Sequence, residues 1–428
     1  MRARTFSCRT ASVISLCVCV VSCSAPNRQY QGSGSVTIST GGYVGGVNPY
    51  RLCAIEIDEQ GIPWDNQQRR AALSAVRNSG GRPLLIVFIH GWQHNASPND
   101  TDLVTFNRLL ERLTTSGGLP GRTRVVGVFI GWRGLSGVRE LDWTGIGWAA
   151  RQFSFYSRKN RTDKIAGIGL TQILYDLSSA AREKGGNVVF VGHSFGGRVL
   201  EKAVAQALIG QSAGSSGGSI ATTPADLTLL INPASEALNA RQLKIALQNW
   251  RGRTPPIVSL TSTDDSATGL AWPIATSLSA AFDPGFHKLK EGVSERNYVT
   301  STSGHSPMIV DRVVEETVAP KDAMAKDALG DAVRYNLKFG NVDGIRAGDR
   351  WWRIREVETS SGPIVMNGDQ ARGYWVINIP PAIIKGHSGD FKKGGIFTDN
   401  AIELITGIFA ICRPELNRRQ VRLAPITE

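Results

Sequence analysis

Short apolar runs rich in β-branched residues recur along the chain, each followed by a longer stretch with helical spacing of apolar positions. The predicted strands are Arg51–Ile57, Pro83–Ile89, Arg124–Ile130, Asn187–Val191, Asp226–Ile231, Ile257–Thr261 and Tyr374–Ile379. The predicted helices are Asn66–Arg77, Thr101–Thr114, Lys164–Lys184, Gly197–Ile209, Glu236–Trp250 and Asn400–Ile411. Several runs, Leu84–Ile89 most clearly, are apolar throughout, as in strands buried on both faces of a parallel sheet. The alternation predicts a doubly wound α/β fold with a mostly parallel sheet.

Two segments interrupt this alternation. Residues 266–370 have weak periodicity and form a long insertion before the last strand. A lid over a site and a packed accessory layer are both compatible with it. Residues 210–220 are rich in Gly and Ser, which favours a flexible loop. We therefore expect one domain over 49–412, followed by a tail at 413–428.

The N-terminal segment has the pattern of an export signal. Arg2 and Arg4 precede the apolar stretch Ala11–Val21, which is shorter than the ~20 residues of a spanning helix. Its end, Val20-Val-Ser-Cys23, resembles the lipobox of bacterial lipoproteins, in which the Cys is lipidated. Residues 1–22 are thus predicted to be a signal peptide, Cys23 a lipid anchor, and the Gly/Ser/Thr/Asn-rich residues 23–48 a flexible tether. The expected location is exported and membrane-anchored, on the periplasmic or outer-membrane side, with plain secretion as the alternative.

The predicted export signal determines which cysteines remain in the mature protein. Of six, those at 8, 17 and 19 leave with the leader and Cys23 carries lipid. Cys53 and Cys412 remain in the domain. Disulfides persist outside the cytoplasm, so these two could pair, but two separately buried thiols fit the spacing equally.

The net charge of the chain, and the distribution of its Lys and Arg residues, limit the kinds of molecule that we expect it to bind. The 428 residues carry a formal net charge of +12, but Lys and Arg do not cluster with aromatic residues as nucleic-acid recognition requires. We therefore expect no nucleic-acid partner. Attraction to anionic lipid headgroups fits better with the predicted anchor.

The strand Asn187–Val191 runs into Gly192-His193-Ser194-Phe195-Gly196, and a predicted helix follows. Glycines two residues before and after Ser194 permit a sharp strand-to-helix turn that exposes its hydroxyl at the carboxyl end of the sheet. The following helix N-terminus favours developing negative charge there. This pattern indicates a nucleophilic serine.

With this motif the chain resembles the α/β-hydrolase superfamily, in particular bacterial lipase- and esterase-like enzymes with a His-Gly turn after the third strand. The resemblance covers roughly residues 50–265 and 372–412. It implies that the turn His90-Gly91-Trp92 supplies one backbone N–H of an oxyanion hole, from Trp92 or from Gly91, and that Phe195 supplies the other. His90 is interpreted as a structural hydrogen-bonding residue and His94 as solvent-exposed, and Trp132 as either a pocket wall or a packed aromatic.

The resemblance implies the chain order Ser, acid, His for a catalytic triad. After the strand Ile257–Thr261 come Asp264 and Asp265. We favour Asp265, because similar hydrolases have the acid directly before a stretch like Ser266-Ala-Thr-Gly269. Asp264 and Glu236 are alternatives.

The general base is expected after the last strand, where the loop 384–390 contains His387. His305, within the insertion, is the alternative, and His287 is a weaker one. Geometry, rather than spacing in the sequence, defines such a triad.

These expectations make the chain a serine hydrolase that cleaves a small-molecule ester or a lipid through an acyl-enzyme. Amide or peptide hydrolysis on the same triad is one alternative, and a non-catalytic surface lipoprotein with a hydrolase scaffold is another. The mechanism needs no cofactor. The six His show no ligand spacing, so no metal site is predicted.

Overall fold

The computed structural model describes most of the predicted domain. It covers residues 29–32, 36–39, 49–116, 118–134, 159–214, 224–248, 250, 255–280, 285–319, 329–339, 342–357 and 373–412. The predicted signal peptide 1–22, the lipidation site Cys23 and the tail 413–428 lie outside these residues.

One mixed sheet of eleven strands organises the described residues. The strands are β1 (Val36–Ser39), β2 (Tyr50–Glu56), β3 (Arg82–Ile89), β4 (Thr123–Gly131), β5 (Asn187–His193), β6 (Leu227–Ile231), β7 (Ile257–Ser262), β8 (Arg312–Thr317), β9 (Ile345–Ala347), β10 (Arg350–Glu356) and β11 (Tyr374–Ile379). Their order is β1-β2-β4-β3-β5-β6-β7-β11-β8-β10-β9. Pairing is parallel from β2 through to β8 and antiparallel at both edges. The predicted α/β class with a mostly parallel sheet is confirmed.

Helices connect the strands as the alternation predicts. They are α1 (Asn66–Arg77), α2 (Thr101–Thr115), α3 (Ile168–Arg182), α4 (Phe195–Gly214), α5 (Ala237–Ala246), α6 (Trp272–Ala280), α7 (Glu295–Val299), α8 (Leu329–Phe339) and α9 (Asp399–Cys412), with a π-helical turn at Ala267–Ala271. The α4 helix runs to Gly214, so the first part of the predicted loop 210–220 is helical. No helix in the described part of the chain combines the length and apolarity needed to cross a membrane.

The sheet is buried on both faces, which explains the continuous apolar runs. In β3, Leu85, Val87 and Ile89 pack in a cluster with α1, α3, α4 and α5. Leu84, Ile86 and Phe88 point the other way and pack with α2, α8 and α9. Side chains alternate along a strand, so every position of β3 after its first residue needs an apolar side chain.

The segment predicted to be a flexible tether, 23–48, is partly structured. Val36–Ser39 pairs antiparallel with β2. The backbone N–H groups of Tyr30 and Gln31 each donate to the Glu56 carboxylate over 2.8 Å. Glu56 ends β2, so these contacts fasten the chain to the carboxyl edge of the sheet. The tether prediction is wrong for these described residues, because backbone hydrogen bonding holds a segment whose composition alone suggests flexibility.

The predicted insertion 266–370 has two roles. Its β8, β9 and β10 extend the sheet beyond β11 as an accessory layer. Its first part, the π-helical turn and α6, lies beside Ser194 and borders the same cavity. The accessory part therefore adds strands to the sheet, where the sequence left open a packed helix layer, and a lid role of the first part stays a prediction.

The two domain cysteines lie in different hydrophobic clusters. Cys53 packs with the α1 and α3 side of the sheet and Cys412 with the α2 and α9 side. No disulfide joins these two described residues. Burial raises the pKa of the Cys53 thiol to about 12, so it stays protonated and unreactive.

A buried carboxyl on α9 should make stability depend on pH. Burial raises the pKa of Glu403 from its ordinary 4.5 to about 7, while its carboxylate accepts from the Gly348 N–H. The folded chain therefore holds this proton over a range where the unfolded chain has lost it. This contribution is fully present below pH 4.5 and is lost as pH rises through about 7.

We expect Glu403→Gln to raise the free energy of unfolding at about pH 8 by up to roughly 3 kcal/mol, with little change at about pH 4.5. Urea unfolding at both pH values measures this. Glu111→Gln, at an exposed position on α2, is the control and should change stability little at either pH. An equal response of the two variants would contradict the prediction.

Candidate active site

Ser194 lies on a tight turn between β5 and α4. Its φ is +54°, a left-handed conformation that a non-glycine residue adopts only when its surroundings enforce it. Its N–H donates to the Ile231 carbonyl over 3.0 Å, and its carbonyl accepts from Ala234. The turn is thus held by backbone bonds to β6 and to the loop after it.

The glycines around Ser194 allow α4 to pass very close to β3. A Cβ added at Gly196 would lie 2.1 Å from the Ile89 carbonyl oxygen and 2.6 Å from that of His90. A Cβ at Gly192 would lie 2.6 Å from the Gly196 carbonyl oxygen. Both positions exclude any side chain, which is the physical reason for the spacing of glycines in the motif.

The structure brings Ser194, His387 and Asp265 into one chain of hydrogen bonds. His387 Nε2 lies 2.9 Å from Ser194 Oγ. His387 Nδ1 lies 2.9 and 3.0 Å from the two carboxylate oxygens of Asp265. The three residues come from the ends of β5, β11 and β7, which meet at the carboxyl edge of the sheet.

The surroundings of Asp265 keep it charged. Its side chain also accepts from the backbone N–H groups of Ala267 and Thr268 and from the Thr268 hydroxyl. Burial opposes the charge, but the hydrogen bonds from His387 and Thr268 outweigh it and hold the pKa of the Asp265 carboxyl below its ordinary value. A carboxylate that accepts several hydrogen bonds is well suited to orient an imidazole.

Asp264, the first alternative acid, points away from His387. Its Oδ1 accepts from the Ser262 hydroxyl and from the Gly386 N–H, each over 2.6 Å. Gly386 precedes His387, so Asp264 fastens the loop that carries the histidine. The two adjacent carboxylates therefore have different partners.

Glu236, the second alternative acid, belongs to a buried ion-pair cluster. It pairs with Arg198 of α4 and with Lys159, whose Nζ lies 2.6 Å from its carboxylate. Burial would raise its pKa, but these two cations lower the pKa of Glu236 to about 2. The structure does not bring Glu236 to His387.

The alternative bases also take other positions. The His305 ring packs on Gly269, where an added Cβ would lie 2.9 Å from its Cε1. Burial is the main cause that lowers the pKa of His305, and the neighbouring Asp265 and His387 modulate it. His305 therefore adjoins the acid, while His387 alone of the two is hydrogen-bonded to Ser194. His287 is exposed.

The turn after β3 lies directly against the serine. A Cβ at Gly91 would lie 2.8 Å from Ser194 Cβ. The N–H of Gly91 donates to the Asp102 carboxylate over 3.4 Å, and that of Gln93 donates to the Gly134 carbonyl over 3.0 Å. Trp92 and Phe195, the residues predicted to supply the oxyanion donors, both border the cavity that contains Ser194.

His90 has the structural role expected of it. Its Nε2 accepts from the backbone N–H of Trp132 over 3.0 Å, and its ring stacks between the rings of Phe129 and Trp132. Burial lowers the pKa of His90 to about 4, so it is neutral. Trp132 is therefore a packed aromatic. His94 is not the solvent-exposed residue that we expected, since its ring lies 3.0 Å from Asp100 and borders the cavity.

The cavity beside Ser194 has a volume of about 280 Å³. Its apolar walls are Trp92, Phe195, Ala234, Ala267, Ala271, Trp272 and Ala275, and its polar walls include Gln93, His94, His193, Thr268 and Ser388. The sequence marked Trp272 only as part of an insertion. The wall of alanines at helical spacing, 267, 271 and 275, is the signal that could have indicated a helix facing a cavity.

Two residues that we did not predict hold the loop of His387. The His387 backbone carbonyl accepts from Asn232 Nδ2 over 2.7 Å and lies 3.0 Å from His193 Nε2. Asn232 directly follows β6 and has a φ of +45°, a left-handed backbone conformation that Asn adopts more readily than most residues. Among the described residues, no group of three His, Cys, Asp or Glu side chains has an arrangement that would hold a metal ion.

The close approach of α4 to β3 predicts a large effect of a single methyl group. We expect Gly196→Ala to lower the free energy of unfolding by about 3 kcal/mol or more, because its Cβ would overlap two backbone carbonyl oxygens that cannot move aside. Chemical denaturation measures this. Gly210→Ala, in the same helix with nothing within 4 Å of its added Cβ, should instead gain about 1 kcal/mol. Similar effects of the two substitutions would argue against the packing described.

Comparison of the chain with models of protein families, with curated proteins and with solved structures found no match. The chemistry of this site is therefore inferred from its own residues. These are a serine on a strained turn, an imidazole hydrogen-bonded to it, a buried carboxylate behind the imidazole, and a cavity in front.

Proposed function

We propose that this protein is a serine hydrolase that cleaves carboxylic esters, with Ser194 as nucleophile, His387 as general base and Asp265 as the acid that orients it. The observation that carries the proposal is the unbroken hydrogen-bond chain from Asp265 through His387 to Ser194. Nucleophile, base and orienting group within hydrogen-bond reach are the mark of an activated serine.

In the proposed reaction His387 Nε2 takes the proton of Ser194 Oγ as the oxygen attacks the acyl carbon. The backbone N–H groups of Trp92 and Phe195 stabilise the tetrahedral oxyanion, at roughly 3 kcal/mol per donor. The imidazolium gives its proton to the departing alcohol, which leaves an acyl-enzyme. Water, deprotonated by His387, then attacks this ester and releases the acid and free Ser194.

Three features support the α/β-hydrolase fold as the finer description. The nucleophile turn follows a central parallel strand and opens a helix. The predicted oxyanion turn follows β3, which pairs directly with β5. Serine, acid and histidine come in the chain order that this fold uses.

The lining of the cavity favours an ester with an apolar acyl group as the substrate. Three aromatic residues and four alanines make up half of the residues that border it, and no carboxylate or Lys/Arg side chain is among the bordering residues in the described part of the chain. An apolar pocket binds an uncharged chain and would reject a charged one. A lipid ester at a membrane surface would fit both this wall and the predicted anchor.

Removing the nucleophile or the base should abolish activity. We expect Ser194→Ala and His387→Ala each to lower kcat on short-chain p-nitrophenyl esters by roughly 10⁵-fold or more. Wild-type protein should react with a fluorophosphonate probe, and the Ser194→Ala variant should not.

His305→Ala is the matched control, a half-buried histidine close to Asp265 but not bonded to Ser194, and it should keep most of the activity. Full activity of the His387→Ala variant would contradict the proposed triad. A wild-type protein that neither hydrolyses these esters nor reacts with the probe would contradict the proposal that the protein is an enzyme. A panel of amide substrates would test the alternative substrate class.

The two adjacent carboxylates, Asp264 and Asp265, should differ in their effect on kcat. Asp265→Asn should lower kcat by roughly 10³–10⁴-fold, because an amide no longer selects the productive tautomer of His387. Asp264→Asn should stay within about tenfold of wild type, since an amide oxygen can still accept from Ser262 and Gly386. Steady-state kinetics of both variants, with thermal unfolding as a check on folding, measure this difference, and the reverse order would reassign the acid.

A further inference from the structure

A second carboxylate–imidazole pair lies beneath the site. His193 immediately precedes Ser194 and is 1% exposed, and Asp102 lies in the first turn of α2 and is 7% exposed. His193 Nδ1 lies 3.4 Å from Asp102 Oδ2. The proposed reaction uses neither side chain directly, so the pair needs an explanation of its own.

Both ring nitrogens of His193 face hydrogen-bond acceptors. Nδ1 faces the Asp102 carboxylate, and Nε2 lies 3.0 Å from the backbone carbonyl oxygen of His387. Neither an ionised carboxylate nor a carbonyl can donate a hydrogen bond. An N–H of the His193 ring is thus the donor, and the ring joins the first turn of α2 to the loop that carries His387.

Asp102 is an ionised acceptor. Burial opposes its ionisation, but the hydrogen bond from His193 and the neighbouring imidazoles of His94, His193 and His90 hold the pKa of the Asp102 carboxyl well below its usual range. The Gly91 N–H also donates to Asp102 Oδ2 over 3.4 Å. His94 Nε2 lies 3.5 Å from Oδ1.

The charged and titratable groups that face His193 come from three elements. They are Asp102 of α2, His387 of the loop after β11, whose ring centroid lies 5.1 Å away, and His94 through Asp102. Asp102 is the carboxylate of this set that contacts the His193 ring, so it orients that ring.

We propose that His193, oriented by Asp102, acts as a positioning residue, which ties the His387 loop and the Gly91–Trp92 turn to the nucleophile turn. This inference builds on the proposed hydrolase reaction. Through one carboxylate the pair connects Gly91 N–H, the residue before Ser194 and the backbone of the base. It touches these groups through their backbone, so it fixes where the base and the oxyanion turn stand, without contacting the reacting atoms.

The placement of His387 can be monitored without any activity. In long-range ¹H–¹⁵N spectra of the full chain labelled at histidine nitrogens, we expect the ring signals of His387 to shift in His193→Gln and in Asp102→Asn, because both variants weaken the contact that holds the backbone of its loop. The Asp102→Asn variant serves if the first variant does not fold. Unchanged His387 signals in both variants would overturn the proposal.

The positioning role predicts a loss in kcat with little change in KM. Misplacement of a base by about 1 Å costs roughly 100-fold, so we expect Asp102→Asn and His193→Gln each to lower kcat by about this factor. A double variant should lose little more than either single one, since the two act as a unit. Full additivity, or a rise in KM with unchanged kcat, would contradict positioning.

Asp100→Asn is the matched control. Asp100 is the N-cap of the same helix and bonds His94 instead of His193, and Asn caps a helix as well as Asp. It should keep kcat within about twofold and leave the His387 signals unchanged. Fluorophosphonate labelling of the wild type separates the two claims. A wild type that is not labelled, while its His387 signals shift in both variants, contradicts the hydrolase proposal alone. A labelled wild type whose His387 signals shift in neither variant contradicts the positioning proposal alone.

Discussion

The contact between the start of α4 and the end of β3 constrains the whole candidate site. Gly196 lies so close to the carbonyl oxygens of Ile89 and His90 that no side chain fits there. This contact forces the left-handed conformation of Ser194 and brings the turn after β3 against the serine. Because β3 and β5 are neighbours with helices on opposite faces of the sheet, a crevice opens at their carboxyl ends, as doubly wound folds require.

Buried polar groups then fix what the backbone alone cannot. Asp264, Asn232 and His193 each bond the backbone of the loop that carries His387, and Asp265 bonds its ring. A loop without regular structure gains four separate restraints in this way. In the proposed hydrolase the imidazole would thus be in place before a substrate binds, which would lower the cost of reaching the transition state.

The sequence predicted the inner strands and most helices, because β3 and its neighbours are apolar throughout and Asn66–Arg77 has clear helical spacing. It missed β1 and β8–β10, which lie toward the sheet edges and interrupt their apolar residues with polar or charged ones, as in Arg350–Glu356. The preference for Asp265 over Asp264 came from resemblance, since side-chain direction separates adjacent residues only in three dimensions. His193 was missed because its partner Asp102 lies 91 positions away.

The bonds from Tyr30 and Gln31 to Glu56 also limit how far the domain could stand from a membrane. For a chain lipidated at Cys23, as its leader predicts, Tyr30 follows the anchor by seven positions, a stretch that spans at most ~25 Å. Glu56 ends β2, three strands from β5, so it lies roughly 14 Å from the serine along the same edge of the sheet. A linker this short would keep the mouth of the cavity within about one domain diameter of the lipid headgroups.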